Sequence, residues 1–356
     1  MTVLVPYPTL LKTTTEVFAG RGVPRHRAEL AAAALCHGDL TGVGSHGLVN
    51  LTRLYLPLFD TGRTDPAAGI RVVNELGACA LVDAGRALGL WTAAAAMDDA
   101  ADRAARHGVG LVSVRGATHV GCAGFHTARA ARRGMIGLLA SNCGGQRIAR
   151  PPGGTLAMLG TNPLSVAAPA GARHPFVLDM STTVVPTGRI RAAARDGLPV
   201  PPGWLADDDG TPVTDPEAFD RGDAHLQWLG GTPETGSYKG FGLGVMVEVL
   251  AALLSGAQRG PAAGALTGTG EDDDIGVLAL AIDPAMLRSD EAFARDAEDL
   301  FGSLLACPPS DPARPVRYPG WPEAELAEQR RARGVPLSEA LYGELCAVSP
   351  QLAVAG

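Results

Sequence analysis

The six cysteines of this 356-residue chain, Cys36, Cys79, Cys122, Cys143, Cys307 and Cys346, contain no CxxC pair. A zinc ribbon is therefore not indicated, nor is a disulfide framework, and the thiols are read as reduced. Clustered Lys and Arg are also missing: the formal net charge is −7, the opposite of a nucleic-acid footprint, so no nucleic-acid partner is expected. Met1 to Gly22 carries Lys12 and Glu16 and no apolar core of signal-peptide length. No later apolar run approaches the roughly 18 residues of a membrane span, so no membrane partner and a cytoplasmic location are expected. The 46 glycines follow no three-residue period, which excludes a collagen-like chain. What remains, 46% hydrophobic and 19% charged residues, is the balance of a globular protein of enzyme size.

Along the chain the texture changes twice. Arg25 to Leu40 is alanine-rich and helix-favouring until Gly42, Gly44 and Gly47 break it. Leu48, Leu51, Tyr55 and Leu58 then recur at helical spacing. From Ile70 short β-branched or alternating runs bounded by glycine take over: IRVVNEL, CALVDA, GVGLVSVRG, MIGLLASN, LSVAAP, FVLDMST and GVLALAIDP. Alanine-rich Trp91–Arg106 and the apolar FGLGVMVEVLAALLSGA interrupt them as helices. After Pro284 helix returns. The expected organisation is a central α/β domain, residues 70–284, with residues 1–69 and 285–356 folding back together as a helical domain. Gln258 to Gly270, running into Glu271–Asp274, reads as a surface loop; consecutive carboxylates lack the alternate spacing of a calcium loop.

Two histidines carry the chemical signal. His46 in Ser45-His46-Gly47 sits at a helix-to-helix junction, and His119 in Thr118-His119-Val120-Gly121 ends a strand that leads into a helix, where α/β proteins place ligand-facing groups. Imidazole titrates nearest neutrality and suits removing a proton from a hydroxyl and returning it to a ketone. Either residue alone is equally well explained as a satisfied loop histidine. Gly42 to Gly47 matches GxGxxG, but the fingerprint needs a strand before it and here a helix precedes; a nicotinamide cofactor would bind outside a Rossmann unit. Gly160-Thr161-Asn162-Pro163 is a turn or a pocket lining, Asp179 caps a turn or borders a flat ring, and Lys239 in GSYKGFG is a surface lysine or meets a carboxylate, phosphate or ribose.

Taken in order, GDLTGVGSHG (38–47), THVGCAGFHTA (118–128), GMIGLLASN (134–142), PPGGTLAMLGTNPLSVAAP (151–169), FVLDMSTT (176–183), PPGWLADDDGTPVTDP (201–216), YKGFGLGVMVEVLAALLSGA (238–257) and ALAIDP (279–284) resemble the non-Rossmann malate/L-lactate dehydrogenase family, which includes ureidoglycolate and sulfolactate dehydrogenases and cyclic-imino-acid reductases. The resemblance runs nearly end to end. It implies an α/β fold with a large, mostly antiparallel sheet, a homodimer, and NAD or NADP held between domains. It places the catalytic roles on His46, oriented by Ser45, and on His119, without choosing between the imidazoles. It places cofactor contacts on Cys143, Asp179, Met180, Ser181 and Lys239, with Thr161 and Asn162 in the loop lining that pocket; no metal is implied.

One departure bears on substrate. Relatives read Ser-His-Gly-x-x-Arg, an arginine suited to a carboxylate, where this chain has Asn50; Arg53, one turn on, is the candidate replacement. The small-molecule substrate is then expected to be a 2-hydroxy/2-oxo acid or a more specialised relative. Reduction of a cyclic ketimine is the alternative, which Arg189 weakly disfavours because the resemblance associates a carboxylate there with imine chemistry. A non-redox or binding role on the same fold is the third reading, motivated by Asn50.

Overall fold

A computed structural model describes residues 2–260 and 274–354. The loop expected from Gln258 and its acidic run therefore lie mostly outside the described residues. Of that run Asp274 is described, and its carboxylate accepts from Gly116 N at 2.7 Å and from Gln258 N at 3.0 Å.

The chain opens with β1 (Thr2–Val5), α1 (Tyr7–Gly20) and α2 (Arg25–Thr41). A 3₁₀ turn at Gly44–His46 and a π-helical stretch at Leu51–Tyr55 lead into α3 (Leu56–Asp60). Then come β2 (Arg71–Leu76), β3 (Cys79–Asp83), α4 (Gly89–His107), β4 (Val109–Ala117), α5 (Ala123–Ala131), β5 (Ile136–Ser141), β6 (Leu164–Ala168) and β7 (Phe176–Met180). A small insert follows: α6 (Thr187–Asp196), β8 (Leu205–Ala206), β9 (Pro212–Val213), α7 (Glu217–Arg221) and β10 (His225–Leu226). α8 (Ser237–Val247) continues as a π-helical segment to Leu253, and β11 (Ile275–Ile282), α9 (Asp290–Ala306), α10 (Trp321–Arg333), β12 (Val335–Ser338) and α11 (Glu339–Val348) complete the order.

The main sheet has seven strands in the order β2-β3-β4-β11-β5-β6-β7, antiparallel except for β3 with β4. That parallel pair is joined by α4, the crossover that parallel strands require. α4 and α5 pack alanine side chains and Met97 onto one face, over Val112, Val114 and Leu139. On the other face the helix from α8 covers Ala140 and Leu278 with Val247 and Ala251.

A second core joins the chain's two ends. β1 pairs antiparallel with β12, from Thr2 opposite Ser338 to Val5 opposite Val335, and Phe18, Leu35, Leu51 and Tyr55 pack with Val335, Leu337 and Leu345. α9 departs from the expected helical grouping: its Phe301 stacks on Phe176 and meets Tyr318 at a tilt, at the β7 edge of the main sheet. The insert from Val185 to Leu226 has its own small core around Ile190 and Leu205, with a three-stranded sheet β10-β8-β9. Among the described residues no helix is long and apolar enough to cross a membrane.

Candidate active site

The Ser45-His46 turn is held by the helix before it. Gly38 and Gly47 let the chain fold back onto α2, since a Cβ on Gly38 would stand 2.7 Å from Gly47 N. Gly42 ends α2 at φ +87°, the left-handed cap that glycine adopts without steric cost. Asp39, buried on α2, accepts from Leu48 N at 2.5 Å. Burial pushes this carboxyl up to about 6 against the opposing effects of that hydrogen bond and of Arg330. Arg330 from α10 also donates to the Asp39 carbonyl.

His119 arrives from the other core. It leaves β4, and the next residues open α5, whose Gly124 N donates to Asp179 on β7 at 2.7 Å. A carboxylate there satisfies one of the free N–H groups of a helix start and complements its dipole. Asp179 faces the open cavity, and the protein packed around it pushes its carboxyl up to about 6 despite that bond. The two imidazoles meet with ring centroids 5.6 Å apart and planes 20° from parallel. Burial lowers both pKa values to about 4, with the His119 charge a further cause at His46, so both rings are neutral near pH 7.

Their hydrogen bonds differ. His46 Nδ1 is 3.0 Å from Ser45 Oγ, a hydroxyl able to donate or accept. His119 Nδ1 faces Gly121 N–H at 3.2 Å and Tyr55 Oη at 2.8 Å. A backbone amide can only donate, so His119 Nδ1 is an acceptor and its ring proton is assigned to Nε2. Tyr55 is fully buried, with its ring edge-on to Phe18.

The imidazoles open onto a cavity of about 1260 Å³ that runs between the two cores. Ser45, His46, Asn50, Arg53, His119, Cys143, Thr161, Asp179, Met180 and Ser181 all line it. Asn162 and Lys239 are not among the lining residues. Asn162 is fully buried, its amide donating to Gly244 O and Glu248 Oε1, each at 3.0 Å. It works with Asn142, whose amide bonds Gln258 O at 2.7 Å, to tie the loops bearing Cys143 and Thr161 to buried Glu248. Lys239 is exposed on the first turn of α8, its ammonium 5.8 Å from the ring of Tyr238.

Arg53 is also not free. It pairs with Glu344 of α11 at 2.9 Å, and Thr52 donates to the same carboxylate. Asn50 donates to Ser45 O at 2.9 Å and so braces the turn. Opposite them α6 brings Gly188 against Ser45 and puts Arg189, Arg191 and Arg195 on the cavity wall. Arg191 pairs with Asp220 at 3.0 Å, whereas Arg189 lies 4.8 Å over Trp204 and Arg195 has no carboxylate within ion-pair distance among the described residues. Sequence reasoning did not reach Tyr55, Asp39, Glu344 or Arg195 as site residues. Asp39 lies inside the motif block that carries the resemblance, but no residue spacing pairs it with Leu48.

Comparison with known proteins bears on the fold and the family. A family model described as malate/L-lactate dehydrogenase matches residues 5–346. A malate dehydrogenase of Pyrococcus horikoshii is 38% identical over 253 residues, 71% of this chain and 69% of that protein. The L-sulfolactate dehydrogenase of Methanocaldococcus jannaschii is 31% identical over 341 residues, 96% of this chain and 95% of that one. Among solved structures, malate dehydrogenase from Entamoeba histolytica superposes with a TM-score of 0.92 at 26% identity, covering 99% of both chains. The fold and the relatives are those of oxidoreductases acting on CH–OH groups. The chain belongs to the malate/L-lactate dehydrogenase family.

Proposed function

We propose that the protein is an NAD(P)-dependent dehydrogenase that exchanges a 2-hydroxy acid with its 2-oxo acid, with His46 as the proton carrier and His119 as a hydrogen-bond donor to the substrate oxygen. The single observation behind this reading is that the two stacked imidazoles are wired differently. Ser45 Oγ can accept a proton-bearing Nδ1 from His46, which leaves His46 Nε2 with a lone pair for the substrate hydroxyl proton. His119 offers Nε2–H instead. A neutral imidazole donor of that kind stabilises developing alkoxide charge without itself changing protonation state.

The residues fit a dinucleotide. A cavity lined by the imidazoles, by the β7 residues Asp179 and Met180 with Ser181 beside them, and by several arginines suits a flat ring joined to anionic groups. The bound nicotinamide supplies or accepts the hydride. Cys143 and Thr161, with sulfur and hydroxyl 3.7 Å apart, border the same stretch and position the ring. The substrate carboxylate is held from α6 by Arg195 and Arg189, because Asn50 is uncharged and Glu344 already neutralises Arg53. The chain acts as a homodimer: Val245, Met246, Val249, Leu253 and Leu254 leave an exposed apolar stripe along α8 and its extension, of the sort subunit contacts cover.

The test is titration of purified protein with NADH and NADPH, followed by fluorescence and by melting temperature, then turnover of a panel of 2-hydroxy acids. Cofactor binding with turnover supports the reading. Binding with turnover of cyclic imines alone would favour the ketimine alternative, and binding of neither cofactor would remove the dehydrogenase reading altogether.

A further inference from the structure

The far end of the cavity carries charge that the chemistry at the imidazoles leaves unused. One face of α5, Gly124, Ala128 and Arg132, lines the wall. Eight residues at 1.5 Å of rise put Arg132 about 12 Å along the helix axis from Gly124, away from the His119 end. Of the three arginines closing α5, Arg129 makes two bonds to Asp98, at 2.8 and 2.5 Å, and Arg133 reaches Asp102 at 2.7 Å. Arg132 faces the cavity and has no carboxylate within ion-pair distance among the described residues.

Across from it stands Arg331 of α10, 5.9 Å over the ring of Tyr7 and likewise without such a carboxylate. The acids at this end have other partners. Glu323 accepts from Gly320 N at 3.1 Å, and Glu328 lies 3.8 Å from His174 Nε2. Burial, then the Arg129 and Arg331 charges, pull the Arg132 guanidinium below its ordinary range, against a smaller opposing effect of Asp98. The same surroundings hold His37 neutral, its pKa down to about 3 through burial and then Arg132, His126 and Arg331. A cation at the end of α5 is favoured by the helix dipole, but Arg129 and Arg133 already supply one. Two like charges kept together on a cavity wall without a counterion match a doubly charged anion, and guanidinium forks match phosphate geometry.

We infer that Arg132 and Arg331 form a phosphate-binding end of the cavity that takes the 2′-phosphate of NADP(H), so that this chain prefers the phosphorylated cofactor. The inference rests on the proposed reading of the cavity as a dinucleotide site. A nicotinamide at the imidazoles puts the adenosine ribose at the opposite end of the molecule, which is where these arginines stand.

The experiment is calorimetric titration of the full chain with NADH, NADPH, 5′-AMP and 2′,5′-ADP, repeated with Arg132→Ala and Arg331→Ala. Melting temperatures of the variants verify that they fold. Wild type is expected to bind NADPH at least about tenfold more tightly than NADH, the scale of one charge-assisted contact. Each variant should lose roughly tenfold to a hundredfold for NADPH and 2′,5′-ADP while changing little for NADH and 5′-AMP. Salt should shrink the preference, because these charges are partly exposed. Equal wild-type affinity for NADH and NADPH overturns this inference alone, as does an equal loss of both cofactors in the variants, which would assign the arginines to the shared pyrophosphate. Failure of wild type to bind either cofactor overturns the dinucleotide reading with it.

Discussion

Replacing each imidazole by glutamine separates the two roles. Glutamine keeps an N–H donor but cannot take up a proton at neutral pH. If His46 is the proton carrier, His46→Ala and His46→Gln should lower turnover alike, by roughly 10² to 10⁴. If His119 only donates, His119→Ala should cost roughly 10² to 10³, the loss seen when one donor to a developing oxyanion is removed, and His119→Gln should recover much of it. The local geometry favours that recovery, because Gly121 N–H and Tyr55 Oη fix the ring from the Nδ1 side and leave the opposite edge facing the cavity. The assay is single-turnover reduction of NAD(P)⁺ by the best 2-hydroxy acid, followed at the absorbance of the reduced nicotinamide, with and without added imidazole. Imidazole should restore rate to His46→Ala and not to His119→Ala. Rescue of the His119 variant, or near-normal rates in His46→Gln, would reverse the assignment.

Tyr55→Phe should lower stability by only about 0.5 to 1.5 kcal/mol in urea unfolding, since Gly121 N–H still satisfies His119 Nδ1; a fall in kcat with unchanged KM would mark Tyr55 as a positioning residue, and unchanged kcat would count against it. Asn50→Arg should raise kcat/KM for small 2-oxo acids by about tenfold while Arg195→Ala lowers it, and an Arg195→Ala enzyme indistinguishable from wild type would return the anchor to Arg53. Acid should destabilise the fold. Fully buried His126 has its pKa lowered from 6.5 to about 4, mainly by burial, so the unfolded chain takes up a proton first and stability falls as pH drops from about 6.5 to about 4, by about 3 kcal/mol from this residue. Urea midpoints across that range test it: a flat profile refutes the argument, and His126→Gln should flatten part of the slope.

Much of the frame is legible because period and punctuation are local properties. The alanine-rich α2, its glycine stop, α4, and the alternating runs that became β2 to β7 and β11 all follow from spacing and glycine placement. Less visible were elements whose stability is tertiary. The strands of the insert are two residues long, too short for any alternation to show, and β1 finds β12 across more than three hundred residues. The helix after Ser45 keeps a helical spacing in sequence, yet its π-helical stretch ends on Tyr55, which bonds His119. The turn Gly160–Pro163 reads as one unit, but Thr161 lines the cavity while Asn162 turns inward to Glu248, a partner 86 residues away that nothing in the turn announces.

The same non-local pairing decides what Asn50 means. A lost arginine suggests a lost anion site only while the neighbouring charges are unknown. Arg53 has Glu344 and Arg191 has Asp220. Arg189 and Arg195 remain unneutralised on α6, which packs directly on Ser45 through Gly188. On the proposed reading the anion site has moved to α6 rather than disappeared. An anion held from α6 sits on a different wall of the cavity from one held at position 50, and Asn50 is left to brace Ser45 through its carbonyl. On the proposed reading substrate choice is set by the insert between β7 and α8, while the imidazole pair is fixed by α2, β4 and Tyr55.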